Sequence, residues 1–236
     1  MPQTTTVLFD LDGTLLPMDQ DVFIAEYFSR LVANMVPLGY EEQVLRSAIW
    51  QGTAAMIQND GSCTNERAFW HVLEALFGER VRQDAPLLEE FYRCEFQQVK
   101  AVCGYHPAAA EIVRDLKTRG FRVALATSPL FPAVATESRM CWAGLEPSDF
   151  EFYTTYENSR YCKPNLAYYE DILATLGVSG KACIMVGNDV EEDMIAERLG
   201  MKTFLLTDCL INKRGEDISK WAHGSFGELR EFLTKL

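Results

Sequence analysis

Residues 4–9, Thr-Thr-Thr-Val-Leu-Phe, are β-branched or apolar without interruption, and Asp10 ends the run. A run this short, closed by a polar residue, predicts a buried strand. Beyond Leu16-Pro17 the texture changes. From Asp19 to about Lys100 apolar residues return every three or four positions, the period of a helix with one buried face. Val22, Phe23, Tyr27, Phe28, Leu31 and Met35 form one stripe, and Val44, Leu45, Ile49 and Met56 a second. Phe69, Trp70, Leu73, Leu76 and Phe77 form a third, and Leu87, Leu88, Phe91, Phe96 and Val99 a fourth. Breaks fall at Pro37-Leu38-Gly39, Asn59-Asp60-Gly61 and Gly78. Residues 17–100 are therefore expected to be all-helical, with about four helices and no strand.

From Gly104 the pattern alternates. Pro107 opens a helix expected over 107–118, with Gly120 as its stop. A strand is expected over 121–126, ending in Thr127-Ser128-Pro129, then a helix over 131–142 and a short strand over 150–155. Pro164 is expected to open a helix through Leu176, closed by Gly177. A buried strand over 182–186 ends in Gly187-Asn188-Asp189, followed by a short helix over 191–199, a strand over 201–206 and a last amphipathic helix over 227–236. Strands alternating with helices imply right-handed crossovers and a parallel sheet. The expected fold class is α/β: a Rossmann-like parallel-sheet core, residues 1–16 and 101–236, with an all-helical cap inserted at 17–100.

The strand ends carry the chemistry. A strand delivers residues i and i+2 to the same face, so Asp10 and Asp12 converge where the first strand stops. Two carboxylates that close repel, and one is driven toward its protonated form unless a cation lies between them. The pair therefore calls for a divalent metal, a shared proton, or both. Gly13 allows the sharp turn that follows. In open parallel sheets ligands bind beyond the carboxyl ends of the strands. Here the three main ends read Asp10/Asp12, Thr127/Ser128 and Asn188/Asp189, all short and polar.

Composition narrows the classes. A chain of 236 residues fits one large domain or two small ones. Lys and Arg total 22 against 34 Asp and Glu, a net charge of −12, with no basic stripe to neutralise phosphates. No nucleic-acid partner is expected. No apolar run reaches membrane-spanning length, and no basic segment resembling a signal peptide precedes the first strand, so a cytoplasmic protein with no membrane partner is expected. The seven Cys contain no Cys-x-x-Cys pair and are expected to be reduced and mostly buried. With only three His, a zinc site or a Ser-His-Asp enzyme is poorly supplied.

The chain resembles the haloacid dehalogenase superfamily, in its phosphatase and phosphomutase branch with a helical cap. Four motifs carry the resemblance in order: Asp10-Leu11-Asp12-Gly13-Thr14; Thr127 after Val123-Ala124-Leu125-Ala126; Lys163-Pro164; and Gly187-Asn188-Asp189 with Asp193. Tyr105-His106-Pro107 also matches a common family pattern. The resemblance implies that Asp10 is the nucleophile that forms an aspartyl-phosphate. Asp12 would protonate the leaving oxygen and then deprotonate the hydrolytic water. Thr127, with the backbone of Ser128, would hold the phosphoryl group, beside Gly13 and Thr14. Lys163 would neutralise nucleophile and phosphate. The implied cofactor is Mg²⁺, held by the Asp10 carboxylate, the Asp12 backbone carbonyl and Asp189.

The fourth motif departs from the usual pattern, because Asn188 stands where family members often have an acid. Asn188 is thus an alternative ligand through its amide oxygen, and Asp193 would orient Lys163 or a metal-bound water. On a helix start, Asp189 and Asp193 would share a face. The implied activity is Mg²⁺-dependent hydrolysis of a small-molecule phosphate monoester. A sugar-phosphate mutase would use the same residues with water better excluded. A haloacid dehalogenase needs no acid at Asp12, and a non-catalytic binding module would not need the full set. Asp19, Gln20, Trp50, Gln51, Gly52 and Arg67 are candidates for a substrate pocket under the cap.

Overall fold

The structure, a computed structural model, describes residues 4–236. Residues 1–3, part of the expected core segment 1–16, lie outside the described residues. The first strand, β1 (Thr6–Phe9), runs through the middle of a six-stranded sheet with β2 (Arg122–Leu125), β3 (Phe152–Tyr153), β4 (Cys183–Gly187), β5 (Lys202–Leu206) and β6 (Ala222–Gly224). The order is β3-β2-β1-β4-β5-β6, and every pairing is parallel. Thr6 lies opposite both Arg122 and Cys183, and Phe9 opposite both Leu125 and Val186. The ends of β1, β2 and β4 therefore stand level. Strand order reverses between β1 and β4, which opens a crevice beyond their carboxyl ends.

Nine α-helices accompany the sheet among the described residues: α1 (Gln20–Met35), α2 (Glu42–Ile57), α3 (Asn65–Phe77), α4 (Arg80–Gln83), α5 (Ala85–Arg93), α6 (Pro107–Thr118), α7 (Ala133–Trp142), α8 (Leu166–Leu176) and α9 (Phe226–Thr234). Alternate residues of each central strand bury on opposite faces. Val7, Phe9, Val123, Leu125, Ile184 and Val186 join a core with α6, α7 and α9. Leu8, Ala124 and Met185 pack on Tyr168, Tyr169, Ile172 and Leu176 of α8. Two covered faces explain why these strands read as unbroken apolar runs rather than alternating ones.

Between β1 and β2 the described residues hold helices and turns and no sheet strand. The chain leaves and returns at one point: Met18 bridges Cys103, and the Gly104 amide donates to the Pro17 carbonyl at 2.6 Å. The expected stripes mark buried faces, with Val22, Val44, Leu76 and Leu87 at their exposed edges. The fourth stripe is not one helix. The backbone breaks at Cys94 (φ −111°, ψ −77°), leaving α5 and a separate 3₁₀ segment, Glu95–Val102, and α4 is an additional short turn.

Several expected boundaries shift. Pro164 does not open α8. The helix begins at Leu166, capped by Asn165, whose side chain accepts from the Ala167 amide. The strand expected over 150–155 shrinks to Phe152–Tyr153, because β3 is an edge strand with two partners on β2 only. The segment after β4 is a turn and then a 3₁₀ helix, Met194–Leu199, rather than an α-helix from 191. β6 was not foreseen: Ala222-His223-Gly224 is short, mostly exposed and lacks an apolar run.

Candidate active site

Asp10 follows β1 directly and is held in register by its amide, which donates to the Val186 carbonyl at 2.9 Å. Its two carboxylate oxygens have different partners. Oδ1 accepts from Lys163 Nζ at 2.8 Å and Oδ2 from the Thr14 hydroxyl at 3.1 Å. Thr14 Oγ1 is also 3.0 Å from Asn188 Oδ1, so Asp10 and Asn188 turn oxygens toward one point. Gly13 has φ +83°, and a Cβ there would collide with the Asn188 amide. Glycine is required at this position both for the turn and for that close approach.

Lys163 comes from the loop before α8 and is buried between two acids. Its Nζ lies 2.6 Å from Asp193 Oδ1 as well as 2.8 Å from Asp10. Burial alone would lower its pKa, but Asp10 and Asp193 together raise it well above its ordinary value. The ammonium is therefore fixed and charged. Asp193 accepts from Lys163 with one oxygen and from the Asp189 amide, at 3.0 Å, with the other. It does so from the turn before the 3₁₀ segment, not from an α-helical face shared with Asp189. Asp189 is half-buried, and its Oδ1 accepts from the amides of Glu191 and Glu192.

Thr127 and Ser128 continue β2 as a loop. Neither caps a helix: α7 starts only at Ala133, whose amide donates to the Glu157 carboxylate at 2.9 Å. The Thr127 carbonyl is pinned by Thr154 Oγ1 at 2.6 Å and Tyr168 OH at 2.8 Å. Ser128 Oγ donates to Glu192 at 3.3 Å. Burial pushes Glu192 up to about 7 against the pull of Lys163.

Asp12 is paired with a residue that sequence patterning did not single out. Arg139 of α7 has no exposed surface, and its Nη1 pairs with Asp12 Oδ2. Its Nε and Nη2 donate to the Ala135 carbonyl and Thr136 Oγ1, each at 3.3 Å. The guanidinium lies 4.4 Å from the centroid of Phe131. The other Asp12 oxygen, Oδ1, is buried with no hydrogen-bond partner among the described residues. Burial, helped by the neighbouring Asp10, raises the Asp12 pKa, and Arg139 offsets only part of that rise. In sequence, an Arg within a helix reads as a surface residue; nothing local signals that it faces Asp12.

Of the pocket candidates, Gln20 reaches the centre, its Nε2 donating to the Asp12 carbonyl at 3.3 Å. Trp50 stacks on Phe28 and lines a cavity. Asp19 caps α1, Gln51 bonds to Ser47, Gly52 packs against Phe69 where a Cβ would collide, and Arg67 is exposed.

A parallel sheet with polar strand ends at its switch point and helices inserted after the first strand defines a broad class of α/β enzymes. Within that class the chain belongs to the haloacid dehalogenase-like hydrolase family, whose model matches residues 4–199. It is 24% identical to a glyceraldehyde 3-phosphate phosphatase of Methanothermobacter thermautotrophicus, over 91% of this chain and 90% of that protein. It is 22% identical to a phosphoglycolate phosphatase of Colwellia psychrerythraea, over 97% of this chain and 96% of that one. A 2-haloacid dehalogenase of Pseudomonas syringae pv. tomato shares the fold, with TM-score 0.63 and 18% identity over 99% of each chain. No described helix is long and apolar enough to cross a membrane.

Proposed function

We propose that this hydrolase is a phosphatase, acting on a small-molecule phosphate monoester through an aspartyl-phosphate on Asp10. The observation that carries the reading is the contact of Lys163 Nζ with Asp10 Oδ1 at 2.8 Å, in a buried centre where Asp12 stands beside the nucleophile. A fixed ammonium there screens the carboxylate from an incoming phosphate dianion. Asp12 supplies the proton that an alkoxide leaving group requires. Dehalogenation needs no such acid, because halide leaves unprotonated.

The donor set suits a hard divalent cation such as Mg²⁺: the Asp10 carboxylate, the Asp12 backbone carbonyl and Asp189, with Asn188 Oδ1 as the alternative third ligand. Thr14 already joins Asn188 to Asp10, and the glycine at 13 leaves the space beside Asn188 free of a Cβ. A cation so held would spread the phosphate's charge. An Asp10 oxygen attacks phosphorus and the bond to the leaving oxygen breaks. Asp12 gives that oxygen its proton. Water then attacks the aspartyl-phosphate, Asp12 takes a water proton, and phosphate leaves with the Asp10 carboxylate restored. Thr127, Ser128, Gly13 and Thr14 hold the phosphoryl oxygens, Asp193 holds Lys163, and Arg139 holds the Asp12 carboxyl. Residues 17–100 act as a cap over the site, excluding water during the first step.

The test is phosphate release over a panel of phosphorylated metabolites with Mg²⁺, with Asp10→Asn as control. Turnover abolished in Asp10→Asn supports the reading. Isomer interconversion without net phosphate release would assign a mutase instead, and halide release without phosphatase activity a dehalogenase.

A further inference from the structure

A cavity of about 750 Å³ lies within the helical insert and is floored by the loop that follows Ser128. Protein interiors seldom leave voids beyond the size of a water molecule. A cleft of this size, lined mainly by apolar and aromatic groups, is the form of a small-ligand site. Its wall includes the rings of Tyr27, Phe28, Phe69, Trp70, Tyr92 and Phe131.

The floor joins the cavity to the reacting centre. The Leu130 amide donates to the Ser128 carbonyl at 2.9 Å, which ties the floor to the second motif. Phe131 faces Tyr27 at 5.1 Å and carries the Arg139 guanidinium at 4.4 Å; Arg139 in turn pairs with Asp12. Phe131 is thus the step between the proton donor and the aromatic chamber.

The charges around the chamber argue against an anionic leaving group. Glu66, Glu89, Glu137 and Glu157 all lie in its wall. The wall's two arginines are already paired, Arg82 with Glu74 and Arg93 with Glu89. No unpaired cation in the described wall awaits a substrate carboxylate such as that of phosphoglycolate.

We infer that the substrate is the phosphate monoester of an uncharged alcohol with a bulky apolar, ring-bearing body, seated past Phe131 in this chamber while the phosphate sits at Asp10. The inference rests on the phosphatase reading and adds the class of leaving group. Naphthyl phosphate is the probe ester and naphthol the probe alcohol. With Mg²⁺, kcat/KM for naphthyl phosphate is expected to exceed that for phosphoglycolate by about a hundredfold or more. Calorimetry is expected to show naphthol binding without any chemistry. Leu73→Trp, which fills the chamber from α3, is expected to raise KM for naphthyl phosphate about tenfold and to weaken naphthol equally. Thermal melting checks its folding, and Ile49→Phe replaces it if it does not fold. Preference for phosphoglycolate with no naphthol binding would overturn the inference and leave the phosphatase reading standing. Naphthol binding with no phosphate released from any ester would overturn the phosphatase reading, and this inference with it.

Discussion

Replacing Arg139 by Met removes the sole partner of the Asp12 carboxylate among the described residues. The site offers little relief. Asp12 Oδ1 is already unpartnered and its side chain is only 19% exposed. Removing one member of a buried ion pair typically destabilises by about 3–5 kcal/mol. Arg139 also leaves the Ala135 carbonyl and Thr136 hydroxyl, each worth about 1 kcal/mol net. Proton uptake by Asp12 and the apolar volume of Met beside Phe131 offset part of this, so about 3 kcal/mol is expected at neutral pH. For a chain of this length that corresponds to a fall of roughly 6–12 °C in Tm. The assay is a double-mutant cycle in urea with Asp12→Asn. In the Asp12→Asn background the same Arg139→Met change is expected to destabilise by about 1 kcal/mol or less, because no carboxylate remains to be stranded. Equal losses in both backgrounds would refute the pairing argument. Activity provides an independent readout. If Arg139 acts by positioning a proton donor, Arg139→Met should slow an alkyl phosphate far more than p-nitrophenyl phosphate, whose leaving group needs little protonation.

Two further outcomes follow from the same contacts. Asn65, fully buried at the start of α3, donates to the Pro129 carbonyl at 3.2 Å and accepts from Asn59 at 2.8 Å, tying the insert to the loop after Thr127. Asn65→Ala should destabilise by about 2 kcal/mol and speed amide exchange at residues 65–70; a loss under about 0.5 kcal/mol would show the tie to be idle. Asp189→Asn keeps an oxygen for the Glu191 and Glu192 amides but removes the charge. It should weaken Mg²⁺ binding by about tenfold or more in calorimetry. If Asn188→Ala abolishes binding and Asp189→Asn does not, Asn188 is the ligand.

Much of the fold was legible because burial leaves a period in sequence. Val7-Leu8-Phe9, Val123-Ala124-Leu125 and Ile184-Met185-Val186 are buried on both faces, so they read as strands without further context. The stripe in α1 reads as a helix for the same reason: Phe23, Tyr27, Leu31 and Met35 fall on one side. Elements that bury little were the ones missed or misjudged. β6 exposes Ala222 and His223, and Cys94 divides the fourth stripe through a backbone twist that no residue preference announces. Within the site, Asp10, Asp12, Thr127 and Lys163 were visible through motif spacing. Glu192 was hidden among other acids, and only its contact with Ser128 and its burial set it apart.

The sequence by itself determined the strand ends, the helical character of the insert and the family to which the chain belongs. Each depends on local order: side-chain period, turn chemistry and the spacing of a few polar residues. Tertiary structure alone decided which groups separated in the chain meet in space. It brought Arg139 to Asp12 across 127 positions and Lys163 to Asp10 across 153. It also left the chamber above Phe131 open, because a cavity is the space that facing helices fail to fill, and no single helix encodes it. An amphipathic helix records that one face is buried but not what lies against it. Arg139 therefore reads as an ordinary helix residue until α7 is seated beside the turn that follows β1.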